Sequence, residues 1–338
     1  MSERDAILLR DVAGVPDDVA VGLAELGFLD AAQLLGAAEV EGVGLHLAEA
    51  LGISDAELAD VVDAARRVAS LPPFEAFTLG PGAFGALPPG PAIAAEMASL
   101  QTLALPAVAL PPSVNLVGQM PPVRDQGQRG TCVAFALSAV HEHHRRGLGH
   151  LEDLSEQFLY HETKRIDGAP GSCGTWQVKA LQVLSRVGEC REAVWTYNSA
   201  PPCNHNGVPP TAAKADAAQR RCAPVILGSN DVLGARTLLA QGRVLGFSIP
   251  VYASWANSFA VRQTGRITMR LGQEPVVSGH AMCLVGYQDD TAYPGGGYFI
   301  LRNSWGPRWA AASPFGPGYG SIPYAYIAQD GWELVSVA

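Results

Sequence analysis

The residues most able to do chemistry lie in the second half of the chain, beginning with Cys132 in "RDQGQRGTCVAFA" (residues 124–136). A thiol placed where a helix starts is favoured as thiolate, because unpaired backbone N–H groups and the helix dipole stabilise negative charge. Gly130 and Thr131 supply the turn, and the small apolar residues that follow let the helix be buried behind a reactive end. A thiolate nucleophile also needs a base that later returns a proton. Of the eight histidines, His141, His143 and His144 lie nine to twelve residues down the same helix, about 13 to 18 Å from the sulfur at 1.5 Å per residue, and are expected to complement its C-terminus. His46 belongs to an N-terminal module, His150 and His161 to polar helical segments, and His205 to a Pro-rich excursion. His280 differs, since "SGHAMCLVGY" puts it at the start of an apolar strand. The next strand, "YFILRNSWG", ends on Asn303, which can orient an imidazole, with Trp305 beside it to keep water away. Thiol, imidazole and carboxamide together suit acyl transfer. The plain alternative is that Cys132 is a buried structural thiol.

These stretches resemble a known family. "QGQRGTCVAFA" resembles the nucleophile motif of papain-like cysteine proteases, "GHAMCLVGY" their histidine motif, "NSWGPRW" their asparagine motif, and "LSEQFLY" (154–160) a fourth family-like segment. The family places its His and Asn about 130 to 150 residues after the Cys. Here 280 − 132 = 148 and 303 − 132 = 171, an excess that predicts an insertion or long loop between the two strands and upstream. The resemblance runs from about Leu110 to the end. It implies Cys132 as nucleophile, His280 as general base and acid, Asn303 as orienting group and Gln126 as an oxyanion donor. It also implies Gly174, Ser278, Gly279 and Trp305 as substrate contacts, with Gly174 offering backbone hydrogen bonds and Ser278 a pocket wall. Arg129 stands where many secreted members have a disulfide cysteine; a charge there would favour an acidic substrate or lower the thiol pKa. "DGAPGSCGTW" and "VGECREAVWTYN" look most like bacterial branches.

The elements that must position these residues follow from periodicity. Helices are expected over 131–146, 154–164, 175–187 and 232–241, then strands in "RVLGFSIPVY", "GRITMRL", "GHAMCLVGYQDD" and "GGYFILRNSWG". Helices first and strands later predict an α+β fold of two lobes with a cleft between them, preceded by a small all-α domain. Residues 1–71 read as that acidic helical module, with Gly14, Gly27 and Gly52 as stops and Asp17, Asp30 and Ser54 as caps. Its segment "EGVGLHLAEAL" (41–51) resembles a helix-hairpin-helix turn. Residues 1–70 hold fourteen Asp and Glu against four Arg, 4 − 14 = −10 of the net −9. Phosphate binding needs the opposite sign, so a protein-docking or regulatory role is expected there and nucleic acid is not. Residues 72–109, rich in Pro, Ala and Gly, read as a linker or propeptide-like segment. Phe74, Phe77 and Phe84 in it are costly to leave in water, so part should pack on the peptidase domain, 110–338, within reach of its cleft.

The N-terminus lacks the pattern of a secretory signal and no apolar run reaches the roughly 20 residues of a membrane span, so a cytoplasmic location without membrane attachment is expected. Six cysteines are too dilute for a disulfide scaffold. Neither metal nor organic cofactor is expected, since Cys190, Cys203, His205 and Cys222 match no zinc spacing; a Cys203–Cys222 disulfide stays open. The function expected is a cysteine endopeptidase acting on protein or peptide through an acyl-enzyme. The alternatives are a transamidase on the same fold and a non-catalytic scaffold.

Overall fold

The computed structural model describes residues 6–70, 83–101, 109–200 and 207–338. The first stretch forms helices α1 (Asp17–Glu25), α2 (Ala31–Ala38), α3 (Val43–Leu51) and α4 (Asp55–Val68). Asp30 and Ser54 cap α2 and α4 through capping boxes with Gln33 and Glu57. Asp17 is not a cap: Pro16 takes that position, and Asp17 opens the first turn of α1, where a carboxylate meets the positive helix end. Gly52 terminates α3 in the left-handed conformation at φ 67°.

The segment expected to lack periodic structure contains α5 (Pro91–Leu100), with Pro91 in the first turn, where its missing N–H costs nothing. Ile93 and Met97 of α5 join the main core, and Glu96 pairs with Lys179 at 2.6 Å. After strand β1 (Ser113–Asn115) come α6 (Cys132–Gly147), α7 (Glu156–Lys164) and α8 (Gln177–Arg186), which pack on one another as the helical lobe. Every residue of α6 from Cys132 to His143 is buried. Then follow α9 (Ala213–Ala217), β2 (Pro224–Ile226), α10 (Val232–Ala240), β3 (Leu245–Tyr252), α11 (Ala253–Ala256), α12 (Phe259–Thr264), β4 (Val276–Asp289), β5 (Gly297–Arg302), β6 (Tyr319–Pro323), α13 (Tyr324–Asp330) and β7 (Glu333–Val337). The strands form one antiparallel sheet in the order β2-β7-β3-β4-β5-β6, with β1 also on β4. This is the two-lobed α+β architecture, with α6 running against β4 between the lobes.

Two expectations need correction, and one pairing left open is closed. No long loop separates β4 from β5, because β4 continues to Asp289 and pairs there with Gly297, so the residues between His280 and Asn303 are mostly spent on paired strand. "GRITMRL" is not a strand beyond one isolated bridge at Arg266. Its backbone is shared instead between β6 and the N-terminal module: Ile267 N–H donates to the Ser321 carbonyl and Met269 N–H to the Leu26 carbonyl, each at 2.9 Å, and Leu271 completes the module's core. Cys222 is a free thiol, as are Cys132, Cys190 and Cys283, so it does not pair with Cys203, which lies outside the described residues; Cys173 is disulfide-bonded.

The module is fastened to the peptidase domain at that seam. Arg266 Nη1 bonds Asp30 Oδ2 at 2.9 Å, and α2 lies so close to α12 that a Cβ on Gly36 would stand 2.7 Å from the Ala260 Cβ and 2.8 Å from its backbone N. Gly36→Val should therefore wedge the seam open, costing about 1–3 kcal/mol as overpacking does. The check is a lowered thermal midpoint together with faster proteolytic separation of residues 1–70 from the rest.

Candidate active site

Helix α6 begins without a side-chain cap: the Thr131 hydroxyl is engaged by Tyr197 at 2.7 Å instead of closing the helix. The first-turn N–H groups are therefore left for another acceptor. Cys132 is 0% exposed, and its sulfur is approached by the backbone N–H groups of Ala281, Val133, Cys132 itself and Ala86, all favouring thiolate. Burial outweighs them and pushes the thiol up to about 12. The contact with Ala281 sets the sulfur one residue from His280 along β4.

His280 Nε2 lies 2.8 Å from Asn303 Oδ1, which also accepts the Ser304 N–H at 2.7 Å. A carboxamide oxygen only accepts, so Nε2 carries the proton and Nδ1 keeps a lone pair. Nδ1 has no hydrogen-bond partner although buried. Trp305 stacks on the imidazole with centroids 4.5 Å apart, covering the His–Asn bond. Gln126 is also fixed at both ends of its amide: Oε1 accepts from Ser304 Oγ at 2.6 Å, and Nε2 donates to the Arg129 carbonyl at 2.9 Å. One amide hydrogen remains. Burial lowers His280 to about 4, the Asn303 bond opposing, so thiol and imidazole are both neutral in this closed form. Nδ1 and the Cys132 sulfur form no hydrogen bond in this closed form; the set holds the group types that acyl transfer uses, a thiol, a base and amide donors.

The cleft is filled by the chain's own residues 83–88. Gly85 and Ala86 N–H both lie 3.1 Å from the Gly279 carbonyl, Leu87 N–H donates to the Thr175 carbonyl at 3.0 Å, and Thr175 N–H donates to the Gly85 carbonyl at 2.9 Å. Trp305 Nε1 donates to the Ala83 carbonyl at 2.9 Å, and Trp176 Nε1 to that of Pro88 at 3.1 Å. Phe84 stands edge-on to both His280 and Trp305, burying an aromatic face worth about 2 kcal/mol. The pairing with Thr175 is parallel. The Gly85 carbonyl oxygen is thus held by the Thr175 N–H, and the Ala86 N–H is shared between the Gly279 carbonyl and the Cys132 sulfur.

Among the expected substrate contacts, Gly279 and Trp305 border this segment directly. Gly174 does not pair with it: its N–H goes to Ser172 Oγ and its carbonyl to Lys164 Nζ, so the backbone pairing falls on Thr175. Gly174 still matters by its size, since a Cβ there would strike Leu87 Cδ2 at 2.8 Å. Ser278 sits half-buried on β4, opposite Val251. Arg129 cannot meet an acidic substrate, because its guanidinium is wholly buried between Tyr160 and Tyr197. His141 does not serve the helix end either; it is buried with Nδ1 2.8 Å from Glu189. Sequence reasoning missed Thr175, Ser304 and Trp332, whose ring packs on Gly279; the only signal for the cleft segment was the hydrophobic cost of Phe84. Phe74 and Phe77 lie outside the described residues.

The fold and site define a two-lobed thiol-hydrolase class, and the comparisons narrow it. Residues 110–316 match the model of the papain family cysteine proteases, and the chain belongs to that family. It is 24% identical over 221 residues to an uncharacterized peptidase C1-like protein of Acanthamoeba polyphaga mimivirus, covering 61% of this chain and 65% of that one. It is 30% identical to ananain of Ananas comosus over 201 residues, 57% of this chain and 50% of that one. The match thus spans between half and two thirds of these relatives. In structure it is similar to xylellain, a cysteine protease from Xylella fastidiosa, with TM-score 0.61 and 25% identity over 76% of this chain and 96% of that one. Digestive procathepsin L 3 of Tenebrio molitor shares the fold, with TM-score 0.56, 20% identity and 77% of each chain covered.

Two outcomes follow from the filled cleft. A Cβ on Gly85 would lie 2.3 Å from the Gly130 carbonyl oxygen, so Gly85→Val should expel the segment; iodoacetamide should then alkylate Cys132 at least about tenfold faster than in the wild type, as read by mass spectrometry. The second concerns pH. In the closed form burial holds His280 at about 4, below its ordinary 6.5, and Cys132 at about 12, above its ordinary 9.0, disfavouring the charged form of each. Taking those ordinary values for the open form, closure is firmest between pH 6.5 and 9. It weakens as pH falls from 6.5 through 4, because the open form binds a proton on His280 more readily, and as pH rises from 9 towards 12, because the open form releases one from Cys132. Fluorescence of Trp305 and Trp176, which hold the segment, should report both limbs, and Cys132→Ala should remove only the alkaline one.

Proposed function

We propose that the protein is a cysteine endopeptidase whose Cys132 thiolate attacks a peptide carbonyl carbon. His280 takes the thiol proton at Nδ1 and returns it to the leaving amine, and water then releases the acyl-enzyme. Asn303 holds the imidazole ring and its tautomer. The Cys132 N–H and the remaining N–H of the Gln126 amide receive the oxyanion. The observation that carries this reading is the His280 ring itself: Nε2 is tied to Asn303 at 2.8 Å while buried Nδ1 keeps an unpaired lone pair. His141 Nε2 is also unpartnered, so the open nitrogen is joined here by position: Asn303 orients the ring on the residue next to Ala281, whose N–H meets the Cys132 sulfur.

Gly279 and Thr175 supply the edges along which an extended peptide pairs, with Trp305 on the leaving-group side and Gly174 and Ser278 near the side-chain pockets. Residues 83–88 hold the enzyme latent until displaced. The N-terminal module keeps the hairpin of Gly42 and Gly44 open, with space for a Cβ at each, and serves docking of a protein partner or substrate. The disulfide at Cys173 favours an oxidising compartment over the cytoplasm.

An epoxysuccinyl probe should label the wild type, once cleared of its segment, but not Cys132→Ala. His280→Ala should lower kcat/KM on a peptide substrate by about 100- to 10,000-fold. Labelling that persists in Cys132→Ala, or hydrolysis unchanged in His280→Ala, would sink the proposal.

A further inference from the structure

Arg129 is the least expected residue of the site, a fully buried cation beside a nucleophile. Its guanidinium carbon lies 5.0 Å from the Tyr160 ring centroid and 5.5 Å from that of Tyr197. Nη1 donates to Gln157 Oε1 at 2.7 Å and to the Asn198 carbonyl at 2.5 Å. Those partners in turn hold the rest of the loop. The Tyr197 hydroxyl donates to the Gln126 carbonyl at 2.9 Å and bonds Thr131 Oγ1 at 2.7 Å. The Tyr160 hydroxyl donates to the Cys173 carbonyl, two residues from Thr175, at 2.7 Å. The Arg129 carbonyl receives the Gln126 amide. The same residue thus ties the loop into the helical lobe with its side chain and fixes Gln126 with its backbone.

We propose that Arg129 is a positioning residue for acyl transfer: its guanidinium, held between Tyr160 and Tyr197, sets the loop 126–131 so that Gln126 keeps one amide N–H aimed at the oxyanion. The inference rests on the assignment of Gln126 made above. A planar fork that stacks on two rings and bonds two carbonyl-type oxygens is something lysine cannot reproduce. A shift of about 1 Å in such a loop is enough to cost an oxyanion bond.

The test separates chemistry that builds an oxyanion from chemistry that does not. Peptide hydrolysis forms one; alkylation by iodoacetamide joins sulfur to carbon, releases iodide and needs none. Both are measured on the full-length chain carrying Gly85→Val, which frees the cleft, per active site counted with an epoxysuccinyl probe, and every variant below is made in that background. Arg129→Met should lower kcat about 10- to 100-fold with KM and the alkylation rate each within about twofold, and Arg129→Lys should not restore kcat. In a Gln126→Ala background, Arg129→Met should cost no further kcat. Tyr197→Phe, which keeps the ring and loses only the hydroxyl, should reduce kcat in the same direction and covers the case in which Arg129→Met fails to fold. The proposal is overturned if alkylation falls as far as hydrolysis, if lysine restores full activity, if the Arg129→Met loss is undiminished without Gln126, or if Tyr197→Phe leaves kcat unchanged. Undiminished kcat in Gln126→Ala alone would instead overturn the oxyanion assignment, and this inference with it.

Discussion

A helix buried along its length must leave its first N–H groups somewhere, and the rest of this molecule is arranged around where they go. Helix α6 is enclosed by α7, α8 and the sheet, so its N-terminal end can open only into the seam between the lobes. Thr131, the residue that would ordinarily cap it, is turned to Tyr197. What remains at that end is a set of donors converging on the Cys132 sulfur, with β4 supplying another from Ala281. The helix therefore contributes both the scaffold and the local potential of the site. Its flank is secured by Arg124, which bonds Glu142 of α6 at 3.1 Å and Glu156 of α7 at 2.7 Å. Burial keeps the Glu156 carboxyl raised, to about 8, in spite of that partner.

The second organising fact is desolvation. With residues 83–88 in the seam, neither sulfur nor imidazole sees water, and the low polarity favours the uncharged form of each. Closure and chemical silence are then one property. The segment is held chiefly by backbone hydrogen bonds to Gly279 and Thr175, the edges proposed above for an extended peptide. Its small residues are needed for that approach: Gly85 lies against the Gly130 backbone, and Gly279 has no room for a Cβ beside Ala86 and Trp332. Helix α5 continues this anchoring on α8 through Glu96 and Lys179.

Much of the frame was legible beforehand because its signals are local. The apolar run after Cys132, the strand pattern around His280 and the caps at Asp30 and Ser54 each depend on neighbours within a turn or a strand. What stayed hidden depends on distant partners. "GRITMRL" alternates like a strand, yet its backbone is divided between Ser321 of β6 and, through the Met269 N–H, the module more than two hundred residues earlier. Thr175 supplies only main-chain atoms, which carry no side-chain signature. Helix α5 has a weakly patterned apolar face that becomes meaningful only against the core it joins.

The sequence by itself determined the chemical types, a thiol, an imidazole and a carboxamide on elements whose periodicity could hold them, because residue identity and short-range pattern are written in order along the chain. Tertiary structure alone decided that the chain's own segment lies across them, that Arg129 is interior instead of facing substrate, and that the acidic module is clasped to α12. These outcomes turn on which surfaces exclude water together, and exclusion of water is a property of packed neighbours, not of any stretch of residues read alone.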